Sequence, residues 1–171
     1  KRQFLEGSVL LDEPRYTDIA EKTFGYLLTH LYDPLTPGFR GSQGANSDYF
    51  GLLAEGRTTV LAPPPDSYCY ASTNGLAATV LLDASQKLGR DDLGEIGLTV
   101  VDHLDRMAQR NRFSHVYSAD GPLETPSFLT DWAWLLTALV QAHASTANRT
   151  YLDRAVEVAA VLVDRFFAVS Y

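Results

Sequence analysis

The second half of the chain contains two similar segments in which apolar residues recur at helical spacing. They cover about residues 74–107 and 132–166. A shift of 58 residues places Leu81 on Leu139, and one inserted loop residue explains why later positions match at a shift of 59. Repetition at a fixed spacing is typical of stacked units, because one helical hairpin cannot bury its apolar face alone. The pattern therefore predicts two consecutive helical hairpins.

Apolar residues spaced by three and four positions predict five helices in all. The helices are expected over residues 14–32, 74–88, about 93–107, 130–145 and 150–168. Gly89 suits a left-handed cap at the end of the second helix. Asp92 with Glu95 is predicted to cap the third helix, and Thr150 the last one.

Two long connections separate these helices and are expected to carry any functional site. Residues 35–72 lose the periodicity and are rich in glycine and proline, and long loops of this kind are usually functional. Within residues 111–127, the alternation of Phe113, His115 and Tyr117 with their neighbours predicts one short strand. In a barrel of helical hairpins the long loops gather at one end, so we expect the two connections to lie together.

These elements predict an all-α fold of antiparallel helical hairpins that forms a partial α/α toroid. The helix over residues 14–32 has no hairpin partner, so we expect it to expose an apolar stripe and to promote a homo-oligomer. Because the chain also lacks an initiator Met, we expect residues 1–171 to be a single domain cut from a larger protein.

Composition narrows the classes of partner. The net charge of −7 argues against a nucleic-acid partner, since phosphate backbones are bound by clustered Lys and Arg. Cys69 is the only cysteine, which excludes an internal disulfide and favours a cytoplasmic location. No uncharged stretch of the helical half is long enough to cross a bilayer, so we predict no membrane association. Without metal-ligand spacing or a phosphate-binding glycine loop, we predict neither a metal nor a cofactor.

Three stretches of sequence carry a family resemblance. Residues 38–50, GFRGSQGANSDYF, resemble a signature of thioredoxin-domain-containing proteins related to the spermatogenesis-associated thioredoxin-like protein: glycine-phenylalanine, glycine-serine-glutamine, aspartate-alanine-aspartate. Residues 128–133, FLTDWA, are similar to the family's motif of leucine, acid, aspartate, aromatic and alanine at the head of a helix. Asn74 opens a segment that resembles its asparagine-led helix. The matches extend in order from about residue 38 to residue 167.

The resemblance implies an α/α toroid like those of six-hairpin glycosidases and N-acylglucosamine 2-epimerase-like enzymes. It also implies a thioredoxin-like domain, missing from this chain, as an N-terminal partner. Gln43 and Asn74, which lie in the matching stretches, are assigned to substrate binding. Gly44 and Asn46 depart from the pattern, because they stand where the family usually has aspartates. The departure weakens the case for metal binding or acid catalysis in that loop.

Asp131 is the leading acidic candidate, because it lies where the second connection re-enters a helix beside aromatic residues. In the first turn of a helix a carboxylate also accepts backbone N–H groups, so Asp131 is either a cap or part of a pocket. As a cap alone, Asp131→Ala is expected to cost ~1 kcal/mol and Asp131→Asn almost nothing. As part of a site, Asp131→Asn would abolish binding or turnover while leaving stability within about 1 kcal/mol.

The remaining catalytic candidates are Asp48, Asp66 and His115. The two aspartates are either turn formers or partners of Asp131 in glycoside hydrolysis, which uses one carboxyl as acid and another as nucleophile or base. His115 is the histidine on the loop side, and it is a candidate acid or base for a sugar epimerase because imidazole titrates near neutral pH.

Aromatic side chains on the loop face of the fold are expected either to stack on sugars or to fill the centre of the toroid. Those assigned to substrate binding are Tyr49, Tyr70, Trp132 and Trp134. Two functional classes remain open. The chain is either a non-catalytic module that binds a small molecule, such as a carbohydrate, or a partner domain, or it is a carbohydrate-active hydrolase or epimerase. The two lost aspartates favour the module, whereas two carboxyls about 5–10 Å apart in an open cleft would support hydrolysis.

Overall fold

The computed structural model describes Gly7 and residues 14–110 and 112–167, and helices dominate these ranges. The helices and strands lie in this order: α1 (Pro14–His30), β1 (Tyr32–Asp33), β2 (Gly38–Phe39), α2 (Ser47–Gly51), α3 (Ala54–Arg57), β3 (Cys69–Tyr70), α4 (Ala71–Leu88), α5 (Asp91–Gln109), β4 (Val116–Ser118), β5 (Gly121–Pro122), α6 (Leu129–Thr146) and α7 (Arg149–Phe166). The five helices predicted from periodicity are present as α1 and α4 to α7. The all-α prediction is confirmed at the level of a mainly helical fold, and the small strands and short helices of the connections are additions to it.

The two predicted hairpins form the body of the fold. Helix α4 packs against both α5 and α6, and α6 packs against α7. Leu81 and Leu139, which the repeat makes equivalent, are both buried, and so are Ala84 and Ala142. Because each hairpin contributes the same positions to the shared core, the repeat in the sequence corresponds to a repeat in packing.

Glycine allows α4 and α6 to approach closely. A Cβ atom built on Gly75 of α4 would lie 2.8 Å from Cβ of Trp134 in α6 and 2.9 Å from its carbonyl carbon. The contact is with backbone as well as side chain, so a larger residue at position 75 could not be accommodated by a rotamer change alone.

Helix α1 does not expose the apolar stripe that we expected. Ala20 and Phe24 are buried, and Leu27 packs against the core. The turn between α4 and α5 holds the same helix from outside, since Nη1 of Arg90 donates to a carboxylate oxygen of Glu21 at 2.5 Å. The prediction of an exposed stripe is therefore wrong, because tertiary contacts cover it, and the homo-oligomer stays a prediction without support from this helix.

The helix ends agree only in part with the expected caps. Gly89 has φ 65° and ends α4 as predicted. Asp92 does not cap α5, which begins at Asp91, because its carboxylate binds the guanidinium of Arg90. The last helix is capped by Asn148, whose side chain accepts from the backbone N–H of Thr150. Ala168, the predicted end of that helix, lies outside the described residues.

A three-stranded antiparallel sheet, in the order β3-β4-β5, joins the two long connections. Cys69 pairs with Tyr117 and Tyr70 with Val116. Just beyond this pairing, the N–H of Ala71 donates to the carbonyl of His115 at 2.9 Å. The single predicted strand is thus part of a sheet that brings both connections to the N-terminal end of α4. In the described part of the chain, no helix is long and apolar enough to cross a membrane.

Candidate functional site

Asp131 is fully buried at the start of α6 and bonds to backbone on two sides. Its Oδ2 accepts from the N–H of Phe128 at 2.7 Å, and its Oδ1 accepts from the N–H of Ser72 at 3.0 Å. The first bond caps α6, while the second reaches the first turn of α4. The carboxylate therefore ties the beginnings of the two central helices together, and with no exposed surface it cannot touch a ligand directly.

The same carboxylate holds His115 in one orientation. Nδ1 of His115 lies 2.9 Å from Oδ1 of Asp131 and 3.1 Å from Oδ2. An ionised carboxylate only accepts hydrogen bonds, so beside it Nδ1 carries the hydrogen; Nε2 is then an acceptor when the ring is neutral and a donor when it is protonated. No described residue forms a hydrogen bond with Nε2, and the side chain is 27% exposed. The imidazole therefore offers one oriented nitrogen to a ligand.

Two aromatic rings flank His115. The Phe128 ring lies edge-on with its centroid 4.9 Å away, and the Tyr70 ring is tilted at 5.6 Å. Phe128 is 49% exposed, and Tyr70 is half-buried. Phe128 was not among the site residues predicted from sequence. Its position three residues before Asp131 could have indicated it. We call His115, Tyr70, Phe128 and the buried Asp131 beneath them the histidine site.

The other two carboxylate candidates form no hydrogen bond with the described residues of the histidine site, although Asp66 lies near the Tyr70 ring, since a Cβ built on Gly41 would contact both. Asp48 is exposed in the first turn of α2. Asp66 forms a local turn, in which Oδ1 accepts from the N–H of Tyr68 at 3.2 Å, while its carbonyl accepts from Nη1 of Arg40 at 3.0 Å. Neither carboxylate hydrogen-bonds to Asp131 or His115 in the described structure. Because Asp131 is buried, it is not one of two carboxylates in an open cleft.

Asn74 is buried in the first turns of α4 and binds backbone. Its Oδ1 accepts from the N–H of Phe39 at 2.6 Å, and its Nδ2 donates to the carbonyls of Phe39 and Tyr70 at 3.0 Å each. These bonds fasten strand β2 to the head of α4. Like Asp131 at the head of α6, Asn74 lies at the start of a central helix, but all its strong hydrogen-bonding groups are already used by the protein.

Among the described contacts, none joins Gln43 or Tyr49 to a residue of the histidine site. Gln43 bridges the first connection, since Nε2 donates to the carbonyl of Pro63 at 2.8 Å and Oε1 accepts from the hydroxyl of Tyr26 at 2.8 Å. The Tyr49 ring packs edge-on against Phe50 in α2, with a centroid distance of 5.1 Å. Their placement in this structure favours a role in ordering the loop.

The two tryptophans of α6 differ in their surroundings, and Trp132 packs within the core. Trp132 is 4% exposed, its ring meets Phe113 at a centroid distance of 4.7 Å, and its Nε1 donates to Oγ of Ser127. Trp134 is half-buried against Gly75 of α4. Among the four aromatic candidates, Tyr70 is the one that flanks His115, and the position of Trp132 favours packing over ligand contact.

Cys69 is buried beside the site and is held neutral. Burial raises the pKa of its thiol to about 11, and burial also raises the pKa of the Tyr117 hydroxyl well above its usual value, with Cys69 adding to that shift. A nucleophile needs the thiolate form, which this environment disfavours. The described residues also contain no group of three His, Cys, Asp or Glu side chains that could hold a metal ion.

We predict that Cys69 of the native protein reacts with a thiol reagent far more slowly than the same residue after unfolding. Its raised pKa lowers the thiolate fraction near neutral pH, and its 1% exposure slows access further. The measurement is the rate of reaction with an aromatic disulfide reagent with and without guanidinium chloride. Equal rates in the two conditions would show that Cys69 is open in the native protein.

No protein-family model matches this chain, and a search of curated proteins found no relative.

Proposed function

We propose that this chain is an α/α-toroid module of the thioredoxin-domain-containing family and that it binds a small polar molecule, such as a carbohydrate, at the histidine site. One observation carries this proposal: His115 is partly exposed, and the buried Asp131 holds it so that Nε2 is free. Aromatic rings stack on the apolar faces of sugars, and an imidazole nitrogen accepts a hydrogen bond from a hydroxyl. Tyr70 and Phe128 supply the rings.

A binding module accounts for the site better than a glycoside hydrolase. Hydrolysis requires one carboxyl to protonate the leaving oxygen and a second to attack the sugar or activate water. Asp131 has no exposed surface, and two backbone N–H groups and His115 use its oxygens. The proposal includes a thioredoxin-like domain in the same polypeptide as the partner of this module. It also includes a cytoplasmic location.

A second candidate, a sugar epimerase, is favoured by the bond between Asp131 and His115. A buried carboxylate that receives Nδ1–H fixes the imidazole tautomer and stabilises the imidazolium that forms when Nε2 takes a proton. His115 would then act as a base toward the carbon next to a sugar carbonyl, with Asp131 as a positioning residue. In D2O, such an enzyme would exchange that sugar proton for deuterium, whereas a module would not.

We expect His115→Gln and Phe128→Ala each to weaken sugar binding roughly tenfold or more, because each removes a contact of the histidine site. The measurement is saturation-transfer NMR with a panel of free mono- and disaccharides, followed by titration of the sugars that bind. His30→Gln and Phe50→Ala are matched controls, because both residues are exposed and lie on α1 and α2. Absence of binding by the unmodified protein, or equal loss in the controls, would contradict the proposal.

Deuterium exchange separates the two candidates. Exchange that requires His115 would identify an epimerase-type reaction, and binding without exchange would identify the module.

A further inference from the structure

Three arginines line a pocket at the C-terminal end of α5. The pocket has a volume of about 210 Å³ and is partly open. Its lining consists of His103, Arg106, Met107, Arg110, Arg112, Gly121 and Pro122. Helix α5 and the hairpin of β4 and β5 thus form its walls. No acidic side chain is among the described residues that line it.

The guanidinium groups of Arg106, Arg110 and Arg112 have no ion pair or side-chain hydrogen bond with any described residue. Other arginines in the described ranges do have partners. Arg40 binds Asp33, Arg90 binds Glu21 and Asp92, Arg149 binds Asp153, Arg154 binds Asp105 and Glu157, and Arg57 and Arg165 lie over aromatic rings. In a chain with 21 acidic and 14 basic residues, three neighbouring arginines without acidic partners are an unusual local excess of positive charge.

The helix dipole accounts for only part of this arrangement. Basic side chains at the end of a helix are favoured by its negative end, which explains Arg106 in the last turn of α5 and Arg110 at its C-cap. Arg112 lies beyond the cap, and another wall is formed by Gly121 and Pro122 of another element. The three arginines therefore line a concave site, and the end of the helix alone does not explain their positions.

We propose that this arginine pocket binds the phosphate group of a small molecule. Guanidinium groups form paired hydrogen bonds to phosphate oxygens, and three of them can neutralise a dianion. The pocket is smaller than the roughly 300–1,000 Å³ sites of drug-sized ligands, so it suits the phosphate and few atoms more. Met107 and Pro122 provide apolar surface for those atoms. The site is separate from the histidine site, and the inference does not depend on the function proposed there.

His103 gives the pocket a spectroscopic reporter. Burial, and then the positive charge of Arg106, lower the pKa of His103, whose ring also packs against Tyr117 at a centroid distance of 5.2 Å. A phosphate dianion in the pocket would offset the charge of Arg106 and stabilise the imidazolium. Binding should therefore raise the pKa of His103, and NMR of the histidine ring protons can measure that shift.

The test is titration of the full chain with inorganic phosphate and with glycerol 3-phosphate at constant ionic strength, by calorimetry and by NMR of His103. We expect saturable binding of both and a rise in the pKa of His103. The double variant Arg110→Gln and Arg112→Gln should bind at least roughly tenfold more weakly, because both charge-assisted contacts are lost. Both residues are exposed, and a thermal melt verifies that the variant is folded.

Arg149→Gln is the matched control, because Arg149 is an exposed arginine on α7, and it should bind phosphate as the unmodified protein does. His115→Gln should also leave phosphate binding unchanged, so failure at one site is distinguishable from failure at the other. Three results would overturn the proposal: no saturable binding, equal loss in Arg149→Gln and the double variant, or malonate binding as tightly as phosphate.

Discussion

Asp131→Ala is expected to lower the free energy of unfolding by about 3–5 kcal/mol, because it leaves three hydrogen-bond donors without their shared acceptor. The substitution leaves the N–H groups of Ser72 and Phe128 and the Nδ1–H of His115 without their acceptor. Each unsatisfied buried donor costs about 1–3 kcal/mol, less where water can enter the space left behind. The measurement is equilibrium unfolding in urea.

Asp131→Asn is expected to lower the free energy of unfolding by a smaller amount than Asp131→Ala, about 1–3 kcal/mol. In the unmodified protein each carboxylate oxygen of Asp131 accepts hydrogen bonds. The amide of the variant keeps one acceptor oxygen, but its NH2 group replaces the other and faces donors that it cannot satisfy. Asp164→Ala, an exposed acid on α7, is the control and should stay within about 0.5 kcal/mol. If Asp131→Ala lowered the free energy of unfolding by about 1 kcal/mol or less, Asp131 would act only as a helix cap.

These expected values are larger than those predicted from sequence, ~1 kcal/mol for alanine and almost nothing for asparagine, which considered Asp131 only as a helix cap. The carboxylate in fact joins groups that are far apart in the chain. Ser72 lies 59 residues before Asp131, and His115 lies 16 residues before it. A local helix cap could be replaced by water, whereas a buried acceptor of three hydrogen bonds could not.

Gly75→Ala is expected to destabilise the protein by about 1–3 kcal/mol through overpacking. The added methyl group would meet the Cβ, the carbonyl carbon and the carbonyl oxygen of Trp134 at 2.8, 2.9 and 3.0 Å. Separating α4 from α6 to make room would loosen the main contact between the two hairpins. The loss should be visible as a lower urea midpoint with little change in the slope of the transition.

Gly25→Ala provides the opposite result in the same experiment. Gly25 is exposed on α1, and apart from its chain neighbours and the local helix backbone no described atom lies within 4 Å of a Cβ built there. Alanine in an open helical position should stabilise the protein by about 0.5–1 kcal/mol. If the two substitutions changed stability in the same direction, close packing of α4 on α6 would not be the reason for glycine at position 75.

The sequence by itself determined the helices, the two hairpins and the positions that form their shared core. Helical periodicity is a property of neighbouring residues, so Leu81 and Leu139 could be assigned to a core before any tertiary contact was known. Gly89 was predictable for the same reason, because a left-handed cap is a local conformation. The repeat added one tertiary statement, since two equal hairpins must stack on each other to bury their apolar faces.

Only the tertiary structure decided which side chains meet. The apolar stripe of α1 is covered by other residues, Asn74 binds the backbone of Phe39, and Asp131 is buried beneath His115. Nothing in the local sequence distinguishes these buried positions from exposed ones. Hydrogen bonds between residues 16 to 59 positions apart depend on how the connections fold over the helix ends. A periodic pattern specifies the face that a helix buries, whereas the partner that buries it is set by the docking of distant segments.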